Sequence, residues 1–298
     1  MFLESIIGPT IFTLKIGGFS LPINWYPTAY FATFLWCWVW IRFFAGCPDL
    51  WRDGKSPVTR AQVDRGRLWI FAGVIVGARL GYIVFYHPSY FMAQPLEVLK
   101  VWNGGMSFHG GLIGVILFGI IYAVRNKIPI ISGFDTLAVT VPFGFLLGRI
   151  ANFFNGELWG RPSDVPWALV FPGRRAGLCP DDWLGLCTRH PSQLYEAFLE
   201  GLLLSVVLFW LVLCRRGFMT PGLVSGVFLL GYGLARFLVE FYRQPDPQFM
   251  SATNPAGHVL RLTQSPEAWG VTMGQALSVP MIVLGIIWID LAIRRKKA

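Results

Sequence analysis

Charge is what this sequence has least of. Only 14% of its 298 residues are Asp, Glu, Lys or Arg, where soluble domains carry roughly 25%. The apolar fraction is 54% and mean hydropathy is +0.54. A soluble fold of this length buries a large core but cannot solvate so much apolar surface, so an integral membrane protein is expected. Internal repeats of about twenty to fifty residues are missing, as are low-complexity tracts. That absence counts against the repeat-built architecture of secondary transporters. The N-terminal stretch contains Glu4 and Lys15 and has neither the basic start nor the small-residue cleavage site of a signal peptide. Ile6–Phe19 therefore reads as an interfacial segment rather than a span.

What is present is a series of apolar runs near the ~20 residues needed to cross ~30 Å of hydrocarbon. They predict about seven helices: Trp25–Phe44, Leu68–Tyr86, Ser107–Val124, Gly133–Ile150, Leu199–Leu213, Gly222–Tyr242 and Gln275–Ile293. The fifth is the shortest and is open to extension toward Pro191. The fold class expected is an all-α polytopic membrane protein, one transmembrane domain over residues 1–298.

Short loops rich in Lys and Arg stay cytoplasmic. Arg42, Arg52, Lys55, Arg60, Arg65 and Arg67 follow the first run, Arg125 and Lys127 the third, Arg215 and Arg216 the fifth, and Arg294, Arg295, Lys296 and Lys297 the seventh. The connection His87–Met106 offers only Lys100. The N-terminus is thus expected outside and the C-terminus in the cytoplasm. The net charge of +9 belongs mostly to that inner face and its anionic lipid, so no nucleic-acid partner is implied. Two long connections, 152–196 and 243–274, fall outside, and their Pro, Gly and Trp content predicts a small folded head. Cys179 and Cys187 lie in the first, at a spacing that leaves their pairing open. Cys37, Cys47 and Cys214 read as structural.

Polar residues are confined to a few places. Gly148–Pro162, reading G-R-I-A-N-F-F-N-G-E-L-W-G-R-P, puts two arginines, two asparagines and a glutamate at the end of an apolar run. One arginine at a helix centre costs about 2.5–3.5 kcal/mol on insertion scales. Tyr26 begins the first helix, His109 the third, and Arg149 ends the fourth. Tyr232, Arg236, Glu240 and Arg243 follow steps of four, four and three, one stripe of a helix. Three helices thus bring His109, Arg149 and Arg236 to similar depth on the outer side. Two arginines beside a titratable histidine suit an anionic headgroup and proton transfer.

Plainer readings stand beside each. Arg236 and Glu240 suit mutual neutralisation, Asn152 and Asn155 suit a helix-end cap, and His109 suits a helix start. Arg79 and Asp135 read as structural ion-pair partners. Gly73, Gly77 and Gly81, like Gly110 and Gly114, recur every four residues, which favours close helix packing over catalysis.

The Gly148–Pro162 stretch closely resembles the signature of the prolipoprotein diacylglyceryl transferases. The resemblance extends through N-W-Y at Asn24–Tyr26, G-G-M-S-F-H-G-G-L-I-G at Gly104–Gly114, H-P-S-Q-L-Y-E at His190–Glu196 and G-Y-G-L-A-R-F-L-V-E-F-Y-R-Q-P-D at Gly231–Asp246. One departure is visible: Ala151 stands where the family usually has glycine. The loop of Cys179 and Cys187 matches none of its motifs. The resemblance implies a bacterial enzyme of the cytoplasmic (inner) membrane, active at its outer face and without metal or organic cofactor. It implies transfer of the diacylglyceryl group of phosphatidylglycerol to the lipobox cysteine of a prolipoprotein signal peptide, forming a thioether and releasing glycerol phosphate.

It also implies essential roles for His109, Arg149, Tyr232 and Arg236; Tyr26, Gly110, Asn152, Asn155, Glu157 and Glu240 are read as lying around the substrate. A free thiol has a pKa near 8.5, so a base near neutrality such as His109 helps form the thiolate. Arg149 and Arg236 suit the phosphate as it departs. Tyr26, Tyr232 and Asn152 suit headgroup positioning, and Glu157 and Glu240 suit orienting the arginines. Two rivals remain: a polytopic transporter of an anionic solute, and a non-catalytic receptor for lipoprotein precursors.

Overall fold

The computed structural model describes residues 8–180, 183–263, 265 and 269–297; Glu4 and Ile6 lie outside the described residues. By contact density the chain divides into two compact units. One is built from residues up to Cys37 together with Leu137 onward, the other from Trp38–Thr136.

Among the described residues seven long helices carry both: α1 Trp25–Ala45, α2 Arg60–Tyr86, α3 Phe108–Arg125, α4 Ile130–Phe154, α5 Ser192–Leu213, α6 Leu223–Val239 and α7 Met273–Lys297. Five of them, α1, α2, α4, α5 and α7, are long and apolar enough to cross a membrane. α3 and α6 are apolar but shorter; at 1.5 Å per residue, the 17 residues of α6 reach about 26 Å. The helices expose large apolar side chains outward, among them Phe31, Leu68, Val84 and Ile286, as a lipid-facing surface requires. The protein is a multi-pass membrane protein.

Several expected boundaries shift. The fifth run does extend back, to Ser192, because the turn Ala197–Leu203 is π-helical and continues into the helix before it. Asn152 lies inside α4, and the long connections begin and end two to five residues later or earlier than the composition suggested. Ile6–Phe19 contains a strand: β1 (Thr10–Ile16) pairs antiparallel with β2 (Phe19–Asn24), with Leu14 opposite Leu21.

Within Trp38–Thr136, α2 starts on a capping box in which Thr59 Oγ1 accepts from the Gln62 amide at 3.2 Å and Gln62 Oε1 accepts from the Thr59 amide at 2.9 Å. The glycines every four residues are packing devices. A Cβ on Gly77 would stand 2.7 Å from Gly114 Cα, and one on Gly110 2.8 Å from Gly81 Cα. Lipid supplies little hydrophobic drive between helices, so such backbone contact is what binds them. Gly77→Val is expected to destabilise this pair by about 1–3 kcal/mol, read as a lower unfolding midpoint in detergent; an unchanged midpoint would contradict the seam. Arg79, expected to pair with Asp135, instead donates to the carbonyls of Val98 (3.0 Å), Gly104 (2.6 Å), Gly105, Glu97 and Lys100. Main-chain oxygens satisfy the buried guanidinium there.

In the other unit, α6 and α7 meet through Gly226, Gly233 and Gly285, and Gly201 of α5 lies against Leu146 of α4. Trp25 stacks on Phe154 at 4.1 Å and Trp36 on Phe143 at 4.0 Å, fixing the first half of α1 along α4. The connections after α4 and α6 are joined by the bridge Gly160 to Arg243, and the first folds back on itself through the bridges Pro162 to Arg189 and Leu169 to Arg189. β3 (His258–Arg261) and β4 (Gly270–Thr272) form a hairpin that leads into α7. Cys179 and Cys187 are disulfide-bonded, with Cα atoms 5.6 Å apart, while Cys37, Cys47 and Cys214 are free.

Candidate active site

The largest concentration of buried charge lies where α4, α5 and α6 meet. Arg149 is five residues from the end of α4, Arg236 is in the last turn of α6, and Arg243 follows it. All three converge on one carboxylate oxygen. Glu196 Oε1 is 3.3 Å from Arg149 Nη2, 3.2 Å from Arg236 Nη1 and 2.5 Å from Arg243 Nη1. Glu200, four residues on, is 3.7 Å from Arg149 Nη2. Glu240 Oε2 is 2.8 Å from Arg236 Nη1 and 3.3 Å from Arg243 Nε. The Glu196 side chain is fully buried and that of Glu200 nearly so, while Arg149 and Arg236 keep 20% and 18% exposed. The carboxylates therefore form the floor and the two arginines the accessible layer.

This bears on ligand capacity. A guanidinium has five N–H donors in a planar fork. The carboxylate contacts run through Nη2 of Arg149 and Nη1 of Arg236. The remaining donors of both suit bidentate hydrogen bonds to an oxyanion. The Arg236–Glu240 pairing expected at i, i+4 is present, but as one edge of a six-residue network rather than a closed pair. Glu240 is fixed in turn: Thr272 Oγ1 donates to its Oε1 at 3.1 Å, and Gly274 leaves room for its carboxylate.

A second cluster forms at the same end of the unit. Tyr26 Oη donates to Glu157 Oε1, and Asn152 Nδ2 donates to Tyr26 Oη. Asn152 Nδ2 and Asn155 Nδ2 also reach Glu157 Oε1, at 3.3 and 3.4 Å. The two asparagines thus bind a side chain rather than cap α4. Gln193 Nε2 donates to the Glu157 carbonyl at 2.6 Å, tying this cluster to the first turn of α5, three residues before Glu196. Glu157 contacts Tyr26 and the asparagines, not an arginine. Tyr232, one turn before Arg236, packs on Phe145 of α4 at 5.1 Å and on Phe228 at 6.0 Å.

His109 and Gly110 belong to the other compact unit. His109 is an exposed residue in the first turn of α3, whose start is capped by Ser107 Oγ accepting from the Gly110 amide at 3.2 Å. Gly110 itself is buried in the seam with Gly77 and Gly81.

Sequence reasoning passed over Glu196, Glu200 and Gln193 as site residues, although Glu196 and Gln193 stand in the H-P-S-Q-L-Y-E block. Glu200 carried a usable signal: an acid inside an apolar run is a functional residue by default. Outside the spans, burial lowers the His190 imidazole and the Arg189 guanidinium from their ordinary values. Among the described residues no group of three metal-ligating side chains occurs.

Residues 11–290 match the family model described as prolipoprotein diacylglyceryl transferase. The chain is 50% identical over 280 residues to the phosphatidylglycerol–prolipoprotein diacylglyceryl transferase of Roseobacter denitrificans, covering 94% of each chain. It is 49% identical over 288 residues to the protein of the same name from Ruegeria pomeroyi, covering 97% of this chain and 96% of that one. It is 48% identical over 278 residues to that from Rhizobium leguminosarum bv. trifolii, covering 93% and 90%. A match over nearly the whole length places the chain in the prolipoprotein diacylglyceryl transferase family.

Proposed function

We propose that this protein transfers the diacylglyceryl group of phosphatidylglycerol to the lipobox cysteine of prolipoproteins. The observation that carries the reading is the pair Arg149 and Arg236, both seated on Glu196 Oε1 and both still partly exposed. The cysteine thiolate attacks the glycerol carbon that bears the phosphate ester. A C–S bond forms, the C–O bond breaks, and its electron pair leaves with glycerol phosphate. Charge grows on the departing phosphate, where the two guanidiniums stabilise it in a site of low dielectric. His109 takes the thiol proton. Tyr232 orients the headgroup beside Arg236, and Tyr26, Asn152, Asn155 and Glu157 shape the mouth of the site. Gly110 lets α3 approach α2 closely enough to present His109. No metal or organic cofactor takes part.

Seven spans are assigned, α3 and α6 being the short ones, with the N-terminus outside and the C-terminus in the cytoplasm of a bacterial inner membrane. The connections after α4 and α6 form the outer head. Two features support that orientation independently: the Lys- and Arg-rich loops fall on the opposite side, and a disulfide lies in the connection assigned to the oxidising compartment.

Purified protein incubated with phosphatidylglycerol and a lipobox peptide is expected to add a diacylglyceryl mass to the peptide and release glycerol phosphate. A peptide of unchanged mass would leave the transporter or receptor classes. His109→Gln is expected to lower kcat about 10²–10⁴-fold and to change the shape of the pH–rate profile. An unchanged profile would strip His109 of the base role.

A further inference from the structure

Arg189 is 2% exposed and has no carboxylate partner among the described residues. Its guanidinium is satisfied by oxygens from three stretches of chain. Nε donates to Ala176 O at 2.7 Å and Nη2 to Leu178 O at 2.5 Å. Nη1 donates to Gly160 O at 3.2 Å and to Gln244 Oε1 at 3.0 Å. The group lies 4.0 Å over the Trp159 ring. Two of these stretches, and the segment of Arg189 itself, lead to site residues. Gly160 follows Glu157 by three residues, Gln244 directly follows Arg243, and Arg189 precedes Glu196 by seven. Main-chain bonds brace the same junction: the Gly160 amide donates to His190 O at 2.9 Å and the Arg161 amide to Tyr242 O at 2.8 Å.

The disulfide closes this junction covalently. Leu178, an acceptor of Arg189, directly precedes Cys179, and Thr188 alone separates Cys187 from Arg189. The bond therefore holds an acceptor strand against the residue that donates to it. A buried guanidinium deprived of its acceptors costs several kcal/mol, so loosening the strand frees Arg189 to shift. Lysine cannot replace it, because one ammonium with three donors cannot bridge four acceptors in these directions.

We propose that Arg189 is a positioning residue that sets Glu196 and Arg243 in register with Glu157, and that the Cys179–Cys187 bond makes this setting sensitive to reduction. The kinetic part rests on the transferase reading above.

The test uses the full chain in lipid nanodiscs with phosphatidylglycerol and a lipobox peptide. Kinetics and backbone amide exchange are measured with and without dithiothreitol. Reduction is expected to lower kcat several-fold, about three to ten, with KM changed less than about twofold. Arg189→Lys is expected to lower kcat about tenfold. The Cys179→Ser, Cys187→Ser double variant should match the reduced protein and ignore dithiothreitol. Combined with Arg189→Lys it should cost less than the sum of the two, since both act on one junction. Exchange should quicken at the amides of Gly160, Arg161 and His190 and stay unchanged in α2 and α3. Unchanged kcat in both Arg189→Lys and the reduced protein would overturn the proposal. So would full additivity, or exchange that quickens equally in α2 and α3. If the unaltered protein transfers no lipid, the transferase reading fails, and the exchange pattern alone decides the positioning role.

Discussion

Replacing Arg149 or Arg236 by alanine is expected to lower kcat by about 10²–10³-fold each, the range found when one donor to a developing oxyanion is removed. The two guanidiniums share an anchor, Glu196 Oε1, at 3.3 and 3.2 Å, so their spacing is set before substrate arrives. Preorganised donors need no reorientation as charge moves onto phosphate, which is why the loss should fall on kcat more than on KM. Lysine is a discriminating control. It keeps the charge but loses the planar fork, so Arg149→Lys should recover only part of the rate. Turnover is measured as glycerol phosphate released per folded enzyme. Near-native kcat in both alanine variants would end the phosphate-clamp idea.

Glu196→Ala is expected to be the most damaging single change to stability, about 3–5 kcal/mol, because it removes the partner shared by buried charges. Arg149, Arg236 and Arg243 would be left beside one another with Glu200 and Glu240 as remaining counter-charges. Glu196→Gln should retain the fold better, since it preserves volume and one acceptor oxygen. It should still lower kcat, because a neutral amide holds the arginines less firmly. Unfolding midpoints in detergent and turnover per folded molecule read these two effects separately. An alanine variant with wild-type midpoint and turnover would mean that Glu196 is not the hub of the cluster.

Much of this molecule was legible in its residues. Arg149 and Arg236 stood out because charge in an apolar run is expensive, and the i, i+4 step from Arg236 to Glu240 anticipated a contact of 2.8 Å. Gly73, Gly77 and Gly81 announced close packing, although their partners were not specified by spacing. The plainer reading of Asn152 and Asn155 as helix caps gives way to side-chain bonds. A polar residue at a helix end satisfies either the last carbonyls or a neighbouring side chain, and only the position of Glu157 decides which. Arg79 was assigned a carboxylate for the same reason: sequence lists charges but not the carbonyls of a folded loop.

By itself the sequence determined the class of the protein, its helical runs, its family motifs and the arginines that any such chemistry needs. These follow from local rules, namely hydropathy over a span, charge bias in short loops and the 3.6-residue period of a helix. Tertiary structure alone decided that Glu196 gathers three arginines and that Glu200 lies beneath Arg149. It also decided that Arg189 binds three stretches of chain and that Cys179 meets Cys187. Those contacts join residues up to 55 positions apart, and nothing in local propensity specifies which distant partner a buried charge will find. The Gly148–Pro162 stretch is polar because of its own residues; it becomes part of a site because α5 and α6 bring carboxylates and a second arginine to it.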